Sequence, residues 1–246
     1  MKYGQLRVCP EDHWAQFAAV HIARHLNAAL ESDSSVRISV ALAGGKTPAP
    51  VYRALAQMID SQVDWRRIDL FLGDERMVSR DDPESNYRAA IESFQSASPD
   101  LEWSIHHVKT NHPPNDAAWK YEKLIRRTVV NRVNDTPSLD LVLLGLGSDG
   151  HTASLFPSAE TLNESERLVV PATHPVSGQD RVTLTLPILG AARSVMFLVC
   201  GPGKSEIMAR IADREPTKAL PASLVAERAQ ELVWILDDAA AKDIVA

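Results

Sequence analysis

The sequence predicts the α/β class: a Rossmann-like, mostly parallel sheet with helices on both faces and a possible small antiparallel addition. Apolar runs of strand length alternate along the chain with segments whose apolar residues recur at helical spacing, the pattern of parallel strands joined by crossover helices. Several runs stop at glycine, as at Gly44, Gly73, Gly145 and Gly201, where the backbone is free to turn sharply. The length of 246 residues suits one such unit, and no repeat or linker divides it, so residues 1–246 are expected to form a single domain.

In the first expected helix Trp14, Phe17, Ala18, Ile22, Leu26 and Leu30 follow Glu11 and Asp12, whose charges suit a helix N-terminus. Val36, Ile38, Val40 and Leu42 alternate with the two-residue period of a strand; the turn AGGKTP and a helix through Val51, Leu55 and Ile59 come next. IDLFLG is a second strand, and the Asp, Pro and Ser content of DERMVSRDDPESNYRAAI marks a long loop before another helix. A short strand is expected over 103–108 and a long helix over 117–133, with Trp119, Leu124 and Val130 among its apolar positions.

The apolar run 139–144 is the next strand and leads into GLGSDGHTASLFP. RVTLTL, SVMFLVC and ELVWIL supply three more, separated by helical stretches around 187–192 and 204–211, and Pro221 starts a short helix. RVTLTL alternates polar with apolar residues, which suits a sheet edge or an antiparallel addition. Trp103, Trp119 and Trp234 are expected in the core.

The formal charge of −6 argues against a general nucleic-acid binder, so an anionic ligand must be met by a local group of cations and backbone N–H groups. No apolar stretch approaches the ~20 residues of a membrane span and the first residues lack the apolar core of a signal peptide. No membrane partner is therefore expected, and the cytoplasm is the expected location. Cys9 and Cys200 are too few for a disulfide scaffold and are expected as free thiols. His106 and His107 would face opposite sides of a strand, and with His112 they make no chelating set, so no metal is expected.

Four segments stand at strand ends, where α/β sheets place their ligands. In AGGKTP, Gly44 and Gly45 free the backbone, Lys46 adds charge, Thr47 can cap and Pro48 fits the first helical turn. That is either a phosphate cradle or a tight turn with Lys46 in water. In GDERMV, Arg76 can steady an oxyanion or a phosphate, while Asp74 and Glu75 either orient it or serve as helix caps. In GLGSDGHTASLFP, Gly147 and Gly150 display Asp149 and His151; the imidazole is suited to general-base work, the alternative being a cap or core histidine. Ser154 lacks the GxSxG setting of a nucleophile, which sets a serine hydrolase aside. Arg181, opening RVTLTL, and Lys204, in GPGKSE, are either further phosphate ligands or solvated charges.

AGGKTP, GDERMV with ESNYR, GLGSDGHTASLFP, RVTLTLP and GPGK, with the terminal PASLVAE and WILDDAA, together resemble the 6-phosphogluconolactonase family in order and spacing. The resemblance implies a single α/β domain of the fold shared with glucosamine-6-phosphate isomerases. It also implies hydrolysis of 6-phospho-D-glucono-1,5-lactone to 6-phosphogluconate in the oxidative pentose phosphate pathway, without cofactor or metal. The deaminases are similar at the DGH turn but carry a glutamate before the proline, where this chain has Phe156, and a tyrosine where it has Arg76. Both differences favour the lactonase over a deaminase, and retention of His151, Asp149 and Arg76 argues against a non-catalytic sugar-phosphate sensor. The chain departs from the commonest lactonase pattern at THPVSGQD, where a lysine is frequent, and at Gly190, where an asparagine is frequent; both bear on the phosphate contacts.

The expected roles follow: His151 as general base, Asp149 orienting it, Arg76 on the developing oxyanion. Gly44, Gly45, Lys46, Thr47, Asp74, Arg181 and Lys204 are expected to bind the phosphate and sugar of a small-molecule lactone. The sequence is compatible with a monomer.

Overall fold

The computed structural model describes residues 4–32, 37–58, 63–99, 104–213 and 220–244. In chain order its strands are β1 (Gln5–Cys9), β2 (Ile38–Leu42), β3 (Ile68–Leu72), β4 (Asp74–Arg76), β5 (Arg132–Val133), β6 (Thr136–Pro137), β7 (Leu141–Leu144), β8 (Val169–Thr173), β9 (Asp180–Leu184), β10 (Ser194–Val199) and β11 (Glu231–Asp237). Its helices are α1 (Trp14–Ser32), α2 (Pro48–Gln57), α3 (Asn86–Gln95), α4 (Pro114–Thr128), α5 (Leu186–Ala191), α6 (Ser205–Ala212), α7 (Pro221–Arg228) and α8 (Asp238–Ala241).

Six strands form one sheet in the order β1-β11-β10-β7-β2-β3, with every pairing parallel. Alternate side chains on each strand serve opposite faces, and both faces are apolar because both are covered. Val40, Leu141, Leu143, Met196 and Leu198 pack with α1, α2 and α3. Phe71, Val142, Leu144, Phe197 and Trp234 pack with α4 to α8. The strand order reverses between β2, whose crossover leads to β3 on one side, and β7, which starts the run on the other. The loops leaving β2 and β7 therefore splay apart and leave a crevice at the carboxyl ends. No described helix is long and apolar enough to cross a membrane.

A second sheet, β4-β9-β8, is antiparallel throughout. It contains RVTLTL, as the polar alternation suggested. β4 follows β3 after Gly73 alone, whose carbonyl accepts from Leu184 N at 2.9 Å. This corrects the long loop expected after Gly73: the charged triplet Asp74–Arg76 is a strand because β9 pairs with it, not because of its own propensity.

Other expectations need correction. The helix expected over 117–133 is α4 and stops at Thr128; the chain then turns through Asn134 (φ 46°) and Asp135 (φ 64°) into the β5-β6 hairpin, leaving Val130 64% exposed. Two consecutive left-handed residues are what a two-residue hairpin turn requires, and Asn-Asp adopts them readily. The strand expected over 103–108 is only a bridge between Ile105 and Leu70, with residue 103 outside the described residues. Trp119 is not core but 56% exposed, with Lys123 Nζ 3.6 Å from its ring centroid, whereas Trp234 is fully buried against Phe197. Strands β1 and β8 were not anticipated. Val36 and Ile59 lie outside the described residues.

Candidate active site

The ends of β2, β3, β7 and β10 open onto a cavity of about 210 Å³. Gly44, Gly45, Lys46 and Thr47 line it from the loop after β2, Asp74 and Arg76 from β4, Gly147 and His151 from the loop after β7, Arg181 from β9 and Lys204 from the turn after β10. The four segments singled out in the sequence thus converge on one crevice at the switch point.

His151 is partly exposed, and its Nδ1 lies 2.6 Å from Asp149 Oδ1. The same carboxylate oxygen accepts from the His151 backbone N–H at 3.1 Å, closing a small ring that fixes both side chains. Burial alone would raise the Asp149 pKa, but the His151 N–H groups and charge outweigh it and hold the carboxyl below its usual value. An ionised Asp149 accepts Nδ1–H, which leaves Nε2 as the basic nitrogen. Gly147 leaves room for this geometry: a Cβ there would stand 2.1 Å from His151 Nδ1 and 2.6 Å from Asp149 Oδ1, so the pair would have to shift. Behind the imidazole, the buried Phe156 ring lies 5.1 Å from His151 and also 5.1 Å from His174.

Arg76 and Arg181 stand directly opposite each other in the antiparallel β4–β9 pair. Opposed residues of such a pair project on the same face, so two guanidinium groups are held side by side at the pocket, a like-charge pairing that Asp74 offsets in part. Among the described residues the buried Nε atoms of both have no hydrogen-bond partner. Arg76 Nη1 donates to the Glu84 carbonyl at 2.6 Å. Arg181 donates to Gln179 Oε1 and Ser154 Oγ, at 3.1 and 3.4 Å, and lies 3.7 Å from Asp74. Burial pushes the Arg181 pKa down, Asp74 opposes this and the Arg76 charge adds to it.

The turn after β2 is shaped for close approach. Gly45 has φ 92°, and a Cβ on Gly44 would fall 2.2 Å from Asn86 Nδ2. Thr47 occupies the N-cap position of α2 with αR backbone, and its hydroxyl makes no cap hydrogen bond, contrary to the expected capping role. Pro48 sits in the first turn as expected. Lys46 is exposed at the rim, and burial lowers the Lys204 pKa against an opposing pull from Asp149.

Asp74 reaches the wall, but its carboxylate is engaged: Ser154 Oγ donates to Oδ2 at 2.6 Å and Asn86 Nδ2 to Oδ1 at 3.1 Å. Ser154 is thus a buried donor, in line with setting a nucleophilic serine aside. Glu75 is a cap, accepting from the N–H groups of Asn86 and Tyr87 at 2.7 and 2.9 Å at the start of α3. Sequence reasoning missed Asn86, which donates to the Asp74 carbonyl and packs against Gly44. His174 packs edge-on against Phe156, outside the pocket lining, and its Nδ1 accepts from Val176 and Ser177 N–H. The motif ESNYR was the available signal for Asn86. Gly190 lies in α5 against Arg228 of α7 and does not line the pocket.

Among the described residues, Glu11, Cys200 and Asp237 form one further group of metal-ligating types, away from the pocket lining. Asp237 there caps α8 and accepts from Gly201 N–H, and burial together with Asp237 pushes the Cys200 thiol up to about 12. Cys9 and Cys200 are both free thiols.

Residues 10–234 match the family model described as glucosamine-6-phosphate isomerases/6-phosphogluconolactonase. The chain is 38% identical over 208 residues to a 6-phosphogluconolactonase of Synechocystis, covering 84% of each chain. It is 36% identical to the human 6-phosphogluconolactonase over 84% of this chain and 80% of that one. The crystal structure of 6-phosphogluconolactonase from Thermotoga maritima superposes with a TM-score of 0.80 at 34% identity, covering 95% of this chain and 99% of that chain.

Proposed function

Because the chain belongs to the glucosamine-6-phosphate isomerase/6-phosphogluconolactonase family, we propose that its pocket hydrolyses 6-phospho-D-glucono-1,5-lactone to 6-phospho-D-gluconate, the lactone-opening step of the oxidative pentose phosphate pathway. The observation that carries this reading is the placement of the Asp149–His151 pair in one crevice with two adjacent guanidinium groups, of which Arg181 lies near Asp74. A base and a double cation suit a substrate that is both an ester and an anion.

His151 Nε2 takes a proton from water as the water oxygen bonds to the lactone carbonyl carbon. Arg76 stabilises the carbonyl oxygen as it becomes negative. When the bond from that carbon to the ring oxygen breaks, the imidazolium returns its proton to the ring oxygen, and the new carboxylic acid ionises into solvent. Arg181, Lys204 and the turn from Gly44 to Thr47 hold the 6-phosphate, and this remote binding orients the lactone for attack. Asp74, with Ser154, positions Arg181.

Phe156 supports this reading against a deaminase. The position before Pro157 carries a buried ring packed on His151 rather than a carboxylate that could relay protons. Our reading has residues 1–246 acting as one catalytic domain on a small-molecule lactone. A reducing cytoplasm suits the two free thiols.

The test generates the lactone in situ with glucose-6-phosphate dehydrogenase and follows acid release above the spontaneous rate, with glucosamine 6-phosphate assayed alongside. Acceleration on the lactone alone is expected. Ammonia release from glucosamine 6-phosphate would transfer the assignment to the deaminases, and binding without turnover would make the protein a sensor.

A further inference from the structure

We infer that a second cavity, beside α4, is an anion site for a small polyphosphorylated molecule. This goes beyond the lactonase reading and does not rest on it.

The cavity, of about 530 Å³, is lined by His107, Lys109, His112, Lys120, Lys123 and Arg127 around Tyr121 and Leu124, and it shares no lining residue with the active-site pocket. Among the described residues no carboxylate lines it, although the chain carries a net charge of −6. Lys120, Lys123 and Arg127 recur at i, i+3 and i+7, so they share one face of α4 along about 10 Å of its axis. Lys109 and the two histidines join them from the segment before the helix.

Of the two acidic residues of α4, Glu122 is engaged elsewhere, and Asp116 stands one turn before Lys120 at the end of the row. Glu122 pairs with Arg126 at 2.8 Å and accepts from the N–H groups of Leu168 and Val169. Asp116 is exposed and makes no ion pair among the described residues.

The groups around the cavity carry the marks of an uncompensated positive field. Lys120 Nζ lies 2.9 Å from His112 Nε2, which brings two of the cavity's basic side chains into direct contact. Burial lowers the His107 pKa, and the Arg80 and Lys109 charges lower it further. Lys123 leans on the exposed face of Trp119 in place of a carboxylate. Like charges three and four residues apart on one helix face repel each other mildly. An anion bound in the cavity would offset that repulsion.

The size narrows the class. A cavity of this volume is in the small-molecule range rather than that of an extended nucleic-acid track. A row of three cations along one helix face suits a chain of phosphates better than a single one.

The experiment is calorimetric titration of the whole protein with inorganic triphosphate, and separately with ATP, at fixed ionic strength. Saturable binding near one equivalent is expected. It should weaken at least tenfold in the variant Lys120→Gln/Lys123→Gln/Arg127→Gln and stay within twofold in Arg181→Gln/Lys204→Gln. Tighter binding of ATP than of triphosphate would identify the ligand class as nucleotides, and equal binding would identify the phosphate chain itself; both support the site. As a check independent of the triple variant's folding, triphosphate should alter the fluorescence of the wild type, and Trp119→Phe should abolish that change. Absence of saturable binding at millimolar triphosphate, weakening only in the Arg181/Lys204 variant, or tighter binding of a single-stranded RNA than of triphosphate would overturn the inference.

Discussion

His151 owes its readiness to a residue that makes no polar side-chain contact. Gly147 passes so close beneath the imidazole that a single methyl group would overlap both Nδ1 and the Asp149 carboxylate. Gly147→Ala is therefore expected to lower kcat about 100-fold, the lower part of the range for losing a general base, with KM little changed. Steady-state kinetics on the lactone checks this, and an unaltered kcat would show that the pair can shift without loss. Lys204 is expected to behave in the opposite manner. Lys204→Ala should raise KM and weaken inhibition by 6-phosphogluconate, with the smaller effect on kcat, and unchanged values of both would remove Lys204 from the phosphate site. Much of this was legible in the sequence, because glycines beside His, Asp, Lys and Arg at strand ends are unusual enough to stand out. The bonds of Asn86 and Ser154 to Asp74 were not, because those partners lie 12 and 80 residues away in the chain.

At the scale of elements, α3 is held by a side chain from outside itself. Glu75, on β4, receives the first N–H groups of the helix, and Ser85 Oγ both accepts from Arg88 N–H and donates to Glu75. Burial raises the Glu75 pKa, the three backbone N–H bonds opposing it. Glu75→Gln keeps the shape but offers one acceptor oxygen where two are used, and it should destabilise the fold by about 1–3 kcal/mol in denaturant unfolding. A change below the error of the measurement would mean that the capping bonds are replaceable by water. The elements that sequence reasoning found are the ones whose own pattern suffices: the buried strands β2, β3, β7, β10 and β11, the alternating strand β9 and the amphipathic helices. It missed β1, whose residues are mostly exposed at a sheet edge, and β4, which is charged and exists through its partner. It overran α4 because Val129, Val130 and Val133 continue an apolar pattern, although Asn134-Asp135 signalled a turn.

For the molecule as a whole, polar ties join segments that are distant in sequence. Asp69 on β3 accepts from Arg37 at 2.7 and 3.0 Å and lies 3.0 Å from His106 Nε2. Burial would raise its pKa, but the His106 and Arg37 contacts overcome this and hold it well below the usual carboxylate range. A carboxylate depressed in the folded state contributes stability that is present above its unfolded value, about 3.9, and is lost as the pH falls towards its folded value. Asp69→Asn should therefore lower stability at neutral pH and flatten its decline below about pH 4, as followed by thermal unfolding across pH. An acid profile parallel to that of the wild type would assign acid sensitivity to other carboxylates. The same parallel sheet brings the turns after β2 and β7 to one crevice, and the claim built on that crevice is general-base hydrolysis by His151.

The most direct measurement of it is the lactone-opening rate of His151→Ala against wild type, each corrected for spontaneous hydrolysis. The account predicts a kcat about 10²–10⁴-fold lower with KM within a few-fold. A variant that opens the lactone at the wild-type rate would contradict it.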